Sequence, residues 1–169
     1  HHFEEHIVFN FREWRLRYFS DNNPSSTEEI LVTLILLLLI TIFIHLIKNN
    51  RGSAHIVLFY LMTTQVANAF FHIFFSIYYN DFSPGLITAI CLYIPINVLI
   101  IRSAVEEEFL KNRLELFVLS FLGIMTFALF EIIGPEIIRY SILLCAFYYL
   151  WVNLKMHGRM GYKIKQLKS

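Results

Sequence analysis

Charged residues are scarce in this sequence: Asp, Glu, Lys and Arg make up 16% of the 169 residues, against about a quarter in an ordinary water-soluble domain. A chain with so few ions lacks the polar surface to wrap a soluble core of this size. Cysteine is scarcer still. Cys91 and Cys145 both lie in apolar runs without a neighbouring thiol, which argues against a disulfide framework or a zinc-finger-like site and leads us to expect two buried thiols. Excess charge of either sign is also missing. A formal net charge of +1 points to no nucleic-acid partner, so the placement of charges carries more information than their sum. No internal repeat and no low-complexity tract is visible.

Apolar sequence is what the chain has in excess, at 57% of residues. Residues 30–47 form a run relieved only by Thr33, Thr41 and His45; at ~1.5 Å per residue it is long enough to cross a ~30 Å hydrocarbon core with little help. Four more runs follow, at about 54–79, 84–101, 114–133 and 137–154. The expected fold is therefore all-α, a polytopic transmembrane helical bundle forming a single domain over 1–169, with five visible spans, a helix over 1–18 and a basic tail at 155–169.

The breaks carry helix punctuation. Asn49 to Ser53 ends the first span, Pro84 suits the first turn of the third, and Gly134-Pro135 separates the last two. Ser26 with Glu29, and Ser103 with Glu106, have capping-box spacing at helix starts. Glu106, Glu107 and Glu108 with Lys111 and Arg113 read as a solvated, self-paired loop helix. His45 and His55 are expected to anchor helices at one end, and Asn153 and His157 to be solvated at the same boundary.

Lys and Arg fall unevenly. One side of the bundle would hold Lys48, Arg51, Arg102, Lys111, Arg113 and the tail residues Lys155, Arg159, Lys163, Lys165 and Lys168; the other would hold Arg12, Arg15, Arg17 and Arg139. The positive-inside bias then places the C-terminal tail in the cytoplasm. The implied location is a plasma membrane, the inner membrane of a bacterium.

Residues 1–18 sort sharply at 100° per residue. Phe3, Ile7, Phe11, Trp14 and Tyr18 occupy an arc of about 80°, and His1, Glu4, Glu5, Val8, Arg12 and Arg15 another of about 100°. With Trp14 and Tyr18 as interface anchors and the arginines in water, Glu4 and Glu5 would lie roughly 10 to 15 Å inside the bilayer edge. The second span also has a polar face, comprising Thr64, Gln65, Asn68, His72, Ser76 and Tyr79. His72 and Asn68 would sit about 10 and 16 Å from its outer end, a depth that matches the two glutamates. Polar faces that cannot meet lipid are best satisfied against each other. Tyr93 and Glu131 are placed to extend the pocket, and Pro95 frees a carbonyl near Cys91 and kinks its helix.

His1-His2-Phe3-Glu4-Glu5, followed by Phe11 and Trp14, resembles the signature of the HXXEE family of uncharacterised multi-pass membrane proteins. Asn68-Ala-Phe-Phe-His72 followed by Ser83-Pro84-Gly85 resembles its second block. In that family the first motif usually ends a hydrophobic helix, so the resemblance implies a membrane segment before His1 and six helices in all. It implies no reaction.

Two carboxylates and a histidine at i, i+3 and i+4 are costly to bury, and adjacent carboxylates cannot both stay ionised unaided. The sharpest reading is a divalent metal site, zinc or iron, with His1, Glu4 or Glu5, and His72 as ligands, two histidines and one carboxylate. One glutamate would remain as general base, and Asn68 would orient ligand or substrate. Glu4, Glu5 and Asn68 are then the candidate catalytic residues of a hydrolase or transferase acting on a lipid or another hydrophobic or amphipathic membrane substrate. The residue set is chemically similar to that of CAAX-type intramembrane glutamate proteases, but no arginine follows Glu4-Glu5 at the interval those require. The frame His2-Phe-Glu-Glu5-His6 also spells an H-x-x-E-H zinc pattern, with weaker geometry. Two other readings use the same residues: a proton- or cation-coupled transporter, for which no repeated halves are visible, and an assembly or sensor protein whose polar cluster only fixes helix packing.

Overall fold

A computed structural model describes residue 1 and residues 3–20 and 26–167. His2, and with it the H-x-x-E-H frame, lies outside the described residues, as do the side chains of Asn153 and of the basic tail. The described chain is helical, with no strand: a single wide turn at Glu4–Val8, then α1 (Phe11–Tyr18), α2 (Thr27–Lys48), α3 (Arg51–Tyr78), α4 (Leu86–Glu106), α5 (Arg113–Ile133) and α6 (Glu136–Leu167).

Four of these helices, α2 to α5, are long and apolar enough to cross a membrane, and the expected span 137–154 lies within α6. Their side chains look outward. In the most apolar stretch of each, only 6% of α2 and 11% of α4 and of α5 is buried, against 50% of α3. Exposure on that scale would be intolerable in water and is what a hydrocarbon solvent requires. The protein is a transmembrane helical bundle built around α3. Cys91, expected to be buried, is one of the outward-facing side chains.

Short links make the helices antiparallel neighbours. Ser26 and Glu29 form the expected capping box at the start of α2. Asn49 ends α2 in the left-handed region, and Asn50 caps α3 by accepting from the Ser53 amide at 2.9 Å. A two-residue link leaves α2 no choice but to fold back along α3. At this end His55 is 4% exposed; its ring bonds Tyr148 on α6 and the Phe109 carbonyl, the latter at 2.8 Å. Arg51 pairs with Glu115 across α3 and α5. His45 reaches Ser53 at 2.9 Å.

The second capping box expected from the sequence does not exist. Ser103 and Glu106 lie in the last turns of α4, where Glu106 pairs with Arg102 at 2.8 Å. Residues 107–112 turn without forming a helix, and Glu108 takes φ +60°. Asn112 caps α5 through the Glu115 amide at 2.9 Å. An S-x-x-E spacing arises at either end of a helix, and here a basic residue four positions upstream claims the glutamate.

Inside α3 the helix widens over Met62–Ala67, and α4 widens over Ala89–Tyr93, just before Pro95. The two widened segments are tied together by Asn97, whose side-chain amide donates to the Tyr93 carbonyl at 2.8 Å and to Gln65 Oε1 at 2.7 Å. Thr63 and Thr64 donate to the Phe59 and Tyr60 carbonyls at 2.9 and 2.8 Å. Helix α5 comes closest here: a Cβ added at Gly123 would sit 2.6 Å from Met62 Cβ. Wide turns of this kind are common where a helix carries a site.

The continuous helix expected over 1–18 is broken. Phe9 is extended (φ −124°, ψ 165°), and Asn10 starts α1 afresh by accepting from the Glu13 amide at 3.1 Å. The break turns α1 over the end of α3, so that the Phe11, Trp14 and Tyr18 stripe faces protein. Trp14 is 4% exposed and packs against Phe11, Phe19, Phe71 and Tyr79, so it is a core residue and not a lipid anchor. Tyr18 stacks on Tyr79 at 3.9 Å and donates its hydroxyl to Asp81 at 2.9 Å, a hydrogen bond that raises the phenol above the usual tyrosine range. Arg15, expected in water, is partly buried and pairs with Glu131 at 3.0 Å.

A buried histidine and carboxylate cluster

The wide turn at Glu4–Val8 brings His1 and Glu5 against the wall formed by α3 and the start of α4. Glu5 Oε1 lies 3.2 Å from His1 Nε2 and 3.1 Å from His72 Nε2. Ligand atoms of these three residues all lie within 4.8 Å of one another. The cluster is buried: the side chains of His1 and Glu5 are 5% and 6% exposed and that of His72 is fully buried. The Tyr93 ring lies 4.5 Å from the His1 ring, and the Phe11 ring 5.3 Å from the His72 ring. The acidic turn and the imidazole of the second long span thus meet in the interior.

Each imidazole is held from behind by a hydroxyl. Thr88 Oγ1 has one hydrogen, and Glu4 Oε2 at 2.7 Å takes it, so the hydroxyl accepts from His1 Nδ1 at 2.6 Å. A neutral His1 then keeps a lone pair on Nε2, which accepts from Asn68 Nδ2 at 2.9 Å on the side of the cluster. His72 Nδ1 lies 2.8 Å from Ser83 Oγ. Its Nε2 is buried without a hydrogen bond, because the 3.1 Å approach to Glu5 Oε1 is out of line with the ring. Two imidazole nitrogens stand beside one carboxylate oxygen with their far nitrogens held by hydroxyls, as in metal-binding histidines; a cation there would take the His1 Nε2 lone pair in place of the Asn68 amide.

Of the four candidate residues, the structure brings together His1, Glu5 and His72. Glu4 is turned away. Its carboxylate accepts from the Ile87 amide at 3.1 Å and from the amide and hydroxyl of Thr88 at 2.8 and 2.7 Å, capping α4. Those donors favour an anion at a helix N-terminus, and they leave Glu4 poorly suited to act as a base. Placing Glu4 and Glu5 on one face assumed a regular helix; the wide turn and the chain break send the two carboxylates to opposite partners.

Three residues absent from the sequence-based site complete it: Thr88, Ser83 and Gly85. Pro84 and Gly85 make a turn ahead of α4, so Pro84 does not occupy its first helical turn. Gly85 has φ +103°, and a Cβ there would lie 2.6 Å from His1 Cε1 and 2.9 Å from His72 Cε1. Only glycine lets the backbone pass this close to both rings. Ser83 and Gly85 had a signal in the block Ser83-Pro84-Gly85; Thr88 had none.

Beside the cluster lies a cleft of about 420 Å³ whose walls include His1, Glu5, Asn68, Tyr93 and Glu131. Tyr93 and Glu131 thus flank the same space, as expected. Glu131 is engaged by Arg15.

Comparison with known proteins gives a family. Residues 1–100 match the model described as "Protein of unknown function with HXXEE motif", and the chain belongs to that family. No curated protein and no solved structure matches the chain.

Proposed function

We propose that His1, Glu5 and His72 hold a divalent cation, and that the protein is a membrane-embedded hydrolase or transferase acting on a lipid or another amphipathic substrate that enters from the bilayer. The carrying observation is the fully buried His72 Nε2, which lacks a hydrogen bond and stands 3.1 Å from Glu5 Oε1. An unpaired buried nitrogen beside a buried carboxylate oxygen is unfavourable unless a proton or a cation lies between them. The donor set supports a cation. Two imidazoles and one carboxylate suit zinc or ferrous iron and leave a position open; tetrahedral bonds of ~2.0–2.1 Å would put ligand atoms ~3.3 Å apart. The 3.1 and 3.2 Å separations fit that spacing.

A divalent cation at this site would polarise a substrate oxygen and make water a nucleophile near neutral pH. The chain's own residues have separable tasks. Glu5 would neutralise half of the cation's charge, Thr88 and Ser83 fix the orientations of His1 and His72, and Asn68 would orient the ligand or substrate beside His1. Glu4 acts by positioning, because it holds Thr88 and the start of α4.

The Lys and Arg distribution supports a cytoplasmic C-terminus in a plasma membrane, the inner membrane of a bacterium, which puts the cluster in the outer half of the bilayer. The competing reading is a proton carried between Glu5 and the imidazoles, as in a proton-coupled transporter. Metal analysis of purified protein separates the two. Stoichiometric zinc or iron in wild type, lost in both Glu5→Gln and His72→Ala, supports the centre. Metal-free wild type together with proton-dependent flux in liposomes overturns it.

A further inference from the structure

The cleft beside the cluster has a shape and a polarity that the cluster alone does not need. Its volume, about 420 Å³, falls within the ~300–1,000 Å³ typical of small-molecule sites. Arg12, Arg15 and Glu131 line it at the end of the bundle where α1 sits, and Tyr60 and Ser141 lie toward its deep end, 3.3 Å apart at their hydroxyls. Between these ends α3 and α5 contribute Thr63, Thr64, Gln65, Thr126, Phe127 and Phe130, and the facing walls are aliphatic. On α2 they run from Ile30 to Leu38, roughly 12 Å at ~1.5 Å per residue, and on α6 they include Ile137 and Ile138.

The walls also lie open on one side. Helix α2 packs chiefly on α3, and only 6% of its apolar stretch is buried. The space between α2 and α6 is therefore bordered by helices that face hydrocarbon. A cleft that is aliphatic on its α2 and α6 sides, with His1, Glu5 and Asn68 on another wall, is matched by one extended hydrocarbon chain carrying a polar group at its end. Water would gain little along the α2 wall, because aliphatic side chains offer it no hydrogen bonds.

We infer that this cleft binds the acyl chain of a single-chain amphipath, a long-chain fatty acid or its lysophospholipid ester, with the carboxyl or ester group at the His1, Glu5 and Asn68 wall. The inference rests on the proposed centre for the direction of the polar group, but the acyl slot stands on its own geometry. The volume of about 420 Å³ lies in the lower part of the small-molecule range and suits one chain rather than two.

The test uses the full chain in nanodiscs of dioleoyl phosphatidylcholine, with a diazirine-bearing palmitic acid and, in a parallel arm, the same chain esterified in lysophosphatidylcholine. After irradiation, cross-links are mapped by peptide mass spectrometry and metal is measured in the same sample. The expected result is labelling concentrated on residues 30–38 and 137–141 in the presence of excess diacyl lipid. Leu34→Trp, which fills the slot without touching the cluster, should lower it about tenfold. The arm with the stronger cleft labelling identifies the source of the chain.

Labelling confined to outward side chains such as Phe43, Ile47 and Phe117, unchanged by Leu34→Trp, overturns the inference. If that variant fails to fold, the wild-type map alone decides. Cleft labelling of a metal-free protein would sink the proposed centre and keep the acyl site; a metal-loaded protein with no cleft labelling would do the reverse.

Discussion

Replacing Gly85 with alanine tests the cluster through its backbone without removing any polar group from it. The added methyl group acts twice. Residue 85 has φ +103°, and an L-residue held in the left-handed region costs about 1–2 kcal/mol. The new Cβ would also stand 2.6 Å from His1 Cε1 and 2.9 Å from His72 Cε1, where carbon atoms normally rest ~3.5–4.0 Å apart. Both rings must recoil by roughly 1 Å, yet Thr88 and Ser83 hold them by their far nitrogens. Overpacking of this kind costs about 1–3 kcal/mol more. Gly85→Ala should therefore lose roughly 2–5 kcal/mol of stability and at least about tenfold in metal affinity. Gly134→Ala is the control: Gly134 also has φ +103° but lies outside the cluster, so it should lose stability by strain alone and keep its metal. Thermal unfolding in one detergent, with metal content measured on the same samples, reads both effects. An alanine variant at 85 with wild-type stability and full metal would refute the reasoning.

Three further outcomes follow from the same geometry. Glu4→Gln should cost about 0.5–2 kcal/mol, as the loss of a helix cap does, while retaining stoichiometric metal, whereas Glu5→Gln should lose the metal; equal metal loss in both would mean that the two glutamates share one site. Ser83→Ala removes the hydroxyl behind His72 and should weaken metal binding by about 10- to 100-fold with the fold intact, as measured by competition with a chelator. Trp14→Ala should destabilise the protein by roughly 3–5 kcal/mol, because Trp14 is buried under α1; a lipid-facing anchor would lose far less in a thermal melt.

Much of the bundle was legible because hydrophobic length and helix punctuation are local. The Asn49-Asn50 and Gly134-Pro135 breaks fall where the sequence puts them, and the Ser26 capping box is a local motif with its partners three residues apart. The meeting of Glu5 with His72 was legible for a different reason: each is too costly to leave in lipid, and they were expected at one depth. The path of the first eighteen residues was not legible. Asn10 with Glu13 is an N-cap signal hidden inside an amphipathic pattern, and periodicity at 100° per residue cannot show that the chain is extended at Phe9 or wide at Glu4–Val8. The division of labour between Glu4 and Glu5 follows from that path, so it was hidden too. Thr88 and Ser83 could not have been chosen from composition, because hydroxyls serve turns and caps far more often than they steady an imidazole. Asn97 could have been: an amide within an apolar span is itself a sign of an internal partner, here Gln65.

The central claim is a cation held by two imidazoles from distant parts of the chain and one carboxylate. X-ray absorption at the metal edge of the purified protein measures that shell directly. The account predicts two imidazole nitrogens and a carboxylate oxygen at ~2.0–2.2 Å, with one imidazole lost in His72→Ala. A shell containing thiolate sulfur, or one left unchanged by His72→Ala, would contradict it.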